Sequence, residues 1–202
     1  MEKNNIIAIV AVLLCVIWVV LMRRLLQKLI NIPVDMALDS TNLQVQYKKQ
    51  KSQSLEWKKR ARRLRRKARI LYFFTKREPY LEYAFYQDIY NKASYMMAAT
   101  ELLEGNDDEF IKLANEPPIL TPYELMPCLL ALYYYGQENK EMAEQCYKSY
   151  LQCDHKDQYI EQIMKAIFSD SERDRKVLKR TVKRVTDQAI LKELRDIGVI
   201  KA

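Results

Sequence analysis

Hydrophobic and polar positions fall into three regimes along the chain. Residues 6–22 are apolar without interruption, a run of seventeen, and the first charges beyond it are Arg23 and Arg24. Bilayer hydrocarbon is about 30 Å thick and a helix rises about 1.5 Å per residue, so a span needs about 17–25 apolar residues. The run meets the short end of that range. Leu25, Leu26, Leu29 and Ile30 continue an apolar stripe into the interface, where Arg23 and Arg24 can snorkel. The pattern predicts a single-pass anchor over 1–30, retained rather than cleaved. Residues 1–5 carry no excess of basic side chains, and no small-residue cleavage site follows the run. Lys and Arg cluster on the C-terminal side, which predicts an N-terminus outside and a body in the cytoplasm.

The second regime begins after a predicted linker over 31–47, where Pro33, Asp35, Asp39 and Ser40 read as a break. A basic juxtamembrane helix is predicted over 48–76. Trp57, Ala61, Leu64, Ala68 and Leu71 are spaced as a narrow apolar seam on one helical face. The remaining positions are mostly Lys and Arg, and Phe73 and Phe74 are expected to dock the helix end.

From 77 to 202 the period stays helical. Tyr83, Tyr86, Tyr90, Ala93 and Met97 form one stripe, in a helix ending near Gly105. That stripe reads as core packing, with an aromatic groove for a peptide as the other reading. A short helix with Phe110 and Leu113 follows, capped from Asn106-Asp107-Asp108-Glu109. Thr121-Pro122-Tyr123-Glu124 has the form of a capping box, with Pro127 as a point of restart or kink. Asn139 and Asp154 are expected to open the next two helices. A C-terminal capping helix is predicted over 172–198, its stripe shifting phase between Ala189 and Ile190. With three glycines in 202 residues, the expected fold is all-α.

One hairpin in this region carries a familiar spacing. Ala131 and Tyr134 stand three apart, Ala143 follows nine later, and Tyr147 four beyond that. Small residues at those places let two helices approach, and aromatics fill the space between turns. Residues 127–155 thus resemble one tetratricopeptide repeat. The departures are Glu138 where the family prefers glycine, Tyr150 where it prefers alanine and His155 where it prefers proline. Residues 95–118, through Ala99, Leu103, Phe110 and Ala114, resemble a degenerate neighbour, and 157–192 a third hairpin. The resemblance implies a small helical-hairpin solenoid, an irregular bundle being the alternative, and a binding module. Tyr133, Tyr134, Gln137, Tyr147 and Lys148 are its expected protein-binding groove.

Charge sharpens the division. The formal net charge of +8 conceals a block at 48–69 with twelve Lys or Arg against Glu56 alone. Residues 78–170 hold seventeen acids and six bases. Such asymmetry reports on partners. Lys58, Lys59, Arg60, Arg62, Arg63, Arg65, Arg66 and Lys67 are expected to meet anionic lipid, each worth about 1 kcal/mol near the surface. Nucleic acid is the alternative partner for this block. The third reading pairs it with the chain's own acidic segment.

Catalytic signals are scarce. His155 beside Asp154 lacks a placed nucleophile, and Cys128, Cys146 and Cys153 show neither a disulfide framework nor a zinc spacing. No enzyme activity, cofactor, metal or small-molecule substrate is expected. The sequence predicts a membrane-anchored adaptor or scaffold that binds a protein partner, or, alternatively, a membrane-tethered nucleic-acid binder.

Overall fold

The computed structural model describes the backbone of residues 2–49, 52–75, 82–119, 123–154, 156–169, 178 and 180–200; within these, the side chains of 2–15, 24–30 and 82–83 are not described. The described fold is all-α. Its helices are α1 (Glu2–Lys48), α2 (Leu55–Thr75), α3 (Glu82–Leu103), α4 (Asp107–Ala114), α5 (Leu125–Gly136), α6 (Lys140–Leu151), α7 (Gln158–Phe168) and α8 (Gln188–Asp196), with a 3-10 turn at Val182–Arg184. They divide into two compact units, Met1–Asp39 and Ser40–Ala202.

The first unit consists of helix α1 up to Asp39. Among the described residues no helix is long and apolar enough to cross a membrane. Of the seventeen-residue run, positions 6–15 lie outside the described side chains, as do Leu25, Leu26, Leu29 and Ile30. The described part, Val16 to Met22, is exposed at every position, between 37% and 63%.

The linker expected over 31–47 is helical instead, because α1 passes through Pro33 and ends at Lys48. A helical proline forfeits an amide donor and costs about 3 kcal/mol. What sustains the helix beyond it is a second seam. In the second unit Ser40, Leu43 and Tyr47 recur at 3 and 4 residues and are all buried.

In the second unit α3 is the central helix, buried at almost every position from Ile89 to Leu102. Helices α2, α4, α5 and α8 all pack on it. Four members of the α2 seam, Trp57, Ala61, Leu64 and Ala68, are buried as their spacing predicts, and Leu71 is half-buried. Ser54 caps this helix by accepting the Trp57 amide at 3.2 Å. The Trp57 indole N–H donates to the Leu43 carbonyl at 3.2 Å, joining α2 to the end of α1.

Helix α3 ends at Leu103, just ahead of Gly105, whose φ of +78° is the left-handed conformation of a helix stop. Asn106 does not cap α4; its amide donates to Glu101 Oε2 at 2.9 Å. The residues 121 and 122 of the expected capping box are outside the described residues. Because α5 starts at Leu125, Pro127 falls in its first turn, where an amide has no intrahelical acceptor. Hence no kink is required.

Helices α5 and α6 form a hairpin with Ala131 and Ala143 both fully buried. Asn139 caps α6 by accepting the Met142 amide at 3.2 Å. Glu138 has φ +59°, so the residue found where the repeat family prefers glycine holds the conformation that glycine adopts most easily. Asp157, not Asp154, caps α7, accepting the Tyr159 and Ile160 amides.

The single helix expected over 172–198 is interrupted. Residues 170–177 and 179 are outside the described residues, including Ser171 and Asp174, the expected opening of that helix. Val185 turns extended, with ψ 128°, and Asp187 starts α8 by accepting the Ala189 and Ile190 amides. The shifted phase of the apolar stripe marks this break. Helix α8 then packs on α5 and α3, with Ala189, Ile190, Glu193 and Leu194 buried.

Candidate functional site

Helix α2 sorts the expected lipid-facing residues into two groups. Lys58 and Arg65 flank the buried seam and turn toward the acidic body. Lys58 Nζ lies 2.9 Å from Glu101 Oε1 and 2.7 Å from Glu104 Oε2. Partial burial by itself would lower the Lys58 ammonium, but hydrogen bonds to Glu104 and Glu101 outweigh it and raise it. Burial likewise opposes ionisation of Glu101, yet Lys58 and Asn106 hold its carboxyl below the usual range. Arg65 pairs with Glu116, donates to the Tyr90 hydroxyl at 3.0 Å and lies 5.0 Å above that ring. Thus part of the basic block complements the chain's own acids.

The other six, Lys59, Arg60, Arg62, Arg63, Arg66 and Lys67, are exposed. Phe73 and Phe74 depart from the expected docking role. They sit edge to face at 5.9 Å and are 61% and 72% exposed. At 100° per residue both point away from the Trp57–Ala68 seam, which is why that seam cannot bury them. Ile70 is also exposed, so the basic outer face of α2 ends in an apolar tip.

On the flank of α2, Arg62, Arg65, Arg66 and Arg69 line an open hollow of about 180 Å³ with Tyr90 and Glu116. The four arginines follow an i, i+3, i+4, i+7 spacing that stacks them along one side of a helix.

A second concavity of about 300 Å³ gathers residues distant in sequence. Its floor includes Tyr47 from α1, Tyr95 and Met96 from α3, and Asp187 at the head of α8. Lys48, Lys92, Tyr123, Glu124, Asp157 and Arg184 stand around it. Tyr95 packs edge to face on Tyr47 at 6.4 Å and on Tyr123 at 5.4 Å. The Tyr47 hydroxyl donates to the Asp187 carboxylate, 3.2 Å from each oxygen. Burial raises the Asp187 carboxyl, although the Ile190 amide and the two tyrosine hydroxyls favour its charge. Burial and then the nearby Asp187 charge raise the Tyr47 and Tyr95 hydroxyls. This cleft combines an aromatic floor, a buried carboxylate and a rim of mixed charge.

The expected groove residues are not brought together there. Tyr133 donates to Asp107 Oδ2 at 3.2 Å and packs on Phe110 at 5.1 Å, tying α5 to α4. Burial and Asp107 push its hydroxyl up to about 12. Tyr134 lies edge to face on Tyr133 at 5.5 Å. Tyr147 stacks flat on Phe168 of α7 at 4.5 Å, while Gln137 and Lys148 are exposed. Three of the five are therefore half-buried packing residues, and none lines the 300 Å³ cleft. Sequence spacing missed that cleft because Tyr47 and Asp187 meet only through the tertiary fold. The hollow on α2 also includes Arg69, outside the eight residues expected to face lipid.

Among the described residues no group of three or more His, Cys, Asp and Glu is placed to hold a metal. Cys128 is buried, and Cys146 and Cys153 are half-buried thiols. His155 lies outside the described residues. No family model, curated protein or solved structure matches this chain.

Proposed function

We propose that this protein is a membrane-anchored adaptor. Its apolar run at 6–22 is seated in the bilayer, the outer face of α2 meets anionic headgroups, and the helical second unit holds a protein partner. The observation that carries this reading is the exposure of Val16, Ile17, Trp18, Val19, Val20, Leu21 and Met22 around α1. Seven consecutive positions cover every side of a helix, and a helix apolar on all sides needs an apolar surrounding. The basic outer face of α2 with its Ile70, Phe73 and Phe74 tip has the composition of a helix that lies at a charged membrane interface. The N-terminus is placed outside and the second unit in the cytoplasm, following the Lys and Arg distribution.

For the partner, the cleft around Tyr95 and Asp187 is a better seat than the Tyr133–Lys148 surface, because it is concave, with an aromatic floor and polar groups converging on it. The α5–α6 hairpin, with Ala131 and Ala143 at its contact, serves as a repeat-like scaffold supporting that cleft from α5. Alkaline extraction of membranes from cells making the full chain tests the anchor: the protein stays in the pellet, and a V16K/V19K variant is released. Release of the unaltered chain would overturn the anchor. A photo-crosslinking residue at Gln44 or Lys92 is expected to capture a partner that one at Lys148 does not. The reverse pattern would return the site to the hairpin surface.

A further inference from the structure

The four-arginine hollow on α2 holds more than a diffuse positive charge. Three of its guanidinium groups, from Arg62, Arg66 and Arg69, are exposed on the same flank. The fourth, Arg65, is fixed by Glu116 and Tyr90 and is 12% exposed at its side chain. Its Nε is buried and has no hydrogen-bond acceptor among the described residues. That atom has no surface open to the hollow, so Arg65 contributes a charge held in place rather than an Nε–H for a ligand. Four guanidinium groups against Glu116 in the lining, with Glu101 also acting on Arg62, leave the hollow net positive. Arginine, unlike lysine, offers paired N–H groups in a planar fork that matches the oxygens of a phosphoryl group.

We propose that Arg62, Arg65, Arg66 and Arg69 form a binding site for a phosphomonoester, the exposed side chains of Arg62, Arg66 and Arg69 donating to its oxygens and the fixed Arg65 charge backing them. A phosphomonoester carries about −1.5 to −2 charge at neutral pH and three acceptor oxygens, which suits this donor set. A phosphodiester headgroup has one negative phosphate charge and fewer free oxygens. The inference deepens the lipid-facing reading of α2 by naming the headgroup class, and it rests on that reading for a membrane source of the ligand. Tyr90 forms the wall of the hollow and Glu116 anchors Arg65 at its edge.

The test uses the full chain in nanodiscs, read through the arginine Nε–H resonances in nitrogen-15 NMR. Four conditions are compared: neutral phosphatidylcholine, added phosphatidylserine, added phosphatidic acid at matched charge, and neutral discs with inorganic phosphate. The Nε–H resonances of Arg62, Arg66 and Arg69 are expected to move with phosphatidic acid or with phosphate, and not with phosphatidylserine. The charge-conserving variant R62K/R66K/R69K is expected to lose phosphomonoester affinity by about tenfold or more, since it keeps charge and loses the forks. Its general response to phosphatidylserine should be unchanged. Unmoved Arg62, Arg66 and Arg69 resonances in both phosphate-bearing conditions overturn the site, as does equal affinity in the lysine variant. A response to phosphate alone upholds the site and assigns it to a soluble phosphomonoester. No preference of α2 for phosphatidylserine over neutral discs, with the phosphate shift retained, overturns the lipid-surface reading and leaves the site standing.

Discussion

The Tyr47 hydroxyl, at the end of α1, donates to both carboxylate oxygens of Asp187, 140 residues away, at 3.2 Å. Asp187 simultaneously caps α8 through the Ala189 and Ile190 amides. One buried carboxylate thus ties the first helix of the second unit to its last. Replacing it by alanine removes a cap and orphans a buried hydroxyl, at an expected cost of about 2–3 kcal/mol. Asp187→Asn keeps the cap. Because burial raises the Asp187 carboxyl above its ordinary value, the folded state binds that proton more tightly than the unfolded state. Its favourable contribution is complete below the ordinary aspartate range and is lost as pH rises through the raised folded value. The amide of the D187N variant carries no such charge, so that variant should exceed the native protein in stability near neutral pH, and the gap should close on acidification. Urea unfolding at neutral and acid pH measures it; a gap that widens in acid contradicts the assignment.

The Lys58 pair has the opposite sign. Glu101 is held below its ordinary value, so its contribution is present above the ordinary glutamate range and disappears as pH falls through the lowered folded value. Lys58→Met is expected to cost about 1–2 kcal/mol at neutral pH, less than a fully buried pair because Lys58 retains some exposure. The variant and native protein should converge in acid. A loss independent of pH would mean that the lysine stem, rather than its charge, does the stabilising.

Glu138 holds a left-handed backbone conformation at the turn between α5 and α6. For a residue with a Cβ this costs about 1–2 kcal/mol, against about 0.5–1 for the extra unfolded-state freedom of glycine. Glu138→Gly should therefore stabilise the protein by about 0.5–1 kcal/mol, seen as a higher urea midpoint. A lower midpoint would show that the Glu138 side chain contributes contacts of its own.

Tyr150 is fully buried and its hydroxyl has no hydrogen-bond partner among the described residues. Removing an unsatisfied buried hydroxyl recovers its desolvation cost, so Tyr150→Phe is expected to stabilise by about 1 kcal/mol. Destabilisation by a similar amount in thermal unfolding would reveal an acceptor for that hydroxyl.

These contacts separate what is legible in the sequence from what is not. The seam Trp57, Ala61, Leu64, Ala68 is a local period, and its burial follows directly. Asn139 and Gly105 are punctuation with local mechanisms, and both act as read. Pro33 is a misleading stop, because the seam through Ser40, Leu43 and Tyr47 sustains the helix beyond it. Asp187 reads as one more charge within a helix, although the phase shift at Ala189 and Ile190 already marks a new start. On α2 the periodicity shows which face is buried, but only the fold shows that Lys58 and Arg65 turn to acids 43 or more residues downstream. The cleft is illegible because its floor joins Tyr47, Tyr95 and Asp187 across the whole second unit.

The anchor carries the functional account, and the chain supplies its own probe. Of its two tryptophans, Trp18 lies within the apolar run and is 63% exposed, whereas Trp57 is buried in the second unit. The full chain in bilayers whose acyl chains carry bromine should show blue-shifted fluorescence, strongly quenched by bromine near the bilayer centre. That quenched component should be absent from Trp18→Phe. If native and Trp18→Phe proteins are quenched alike, or if bromine quenches neither, residues 6–22 do not lie in the bilayer and the membrane-anchored reading fails.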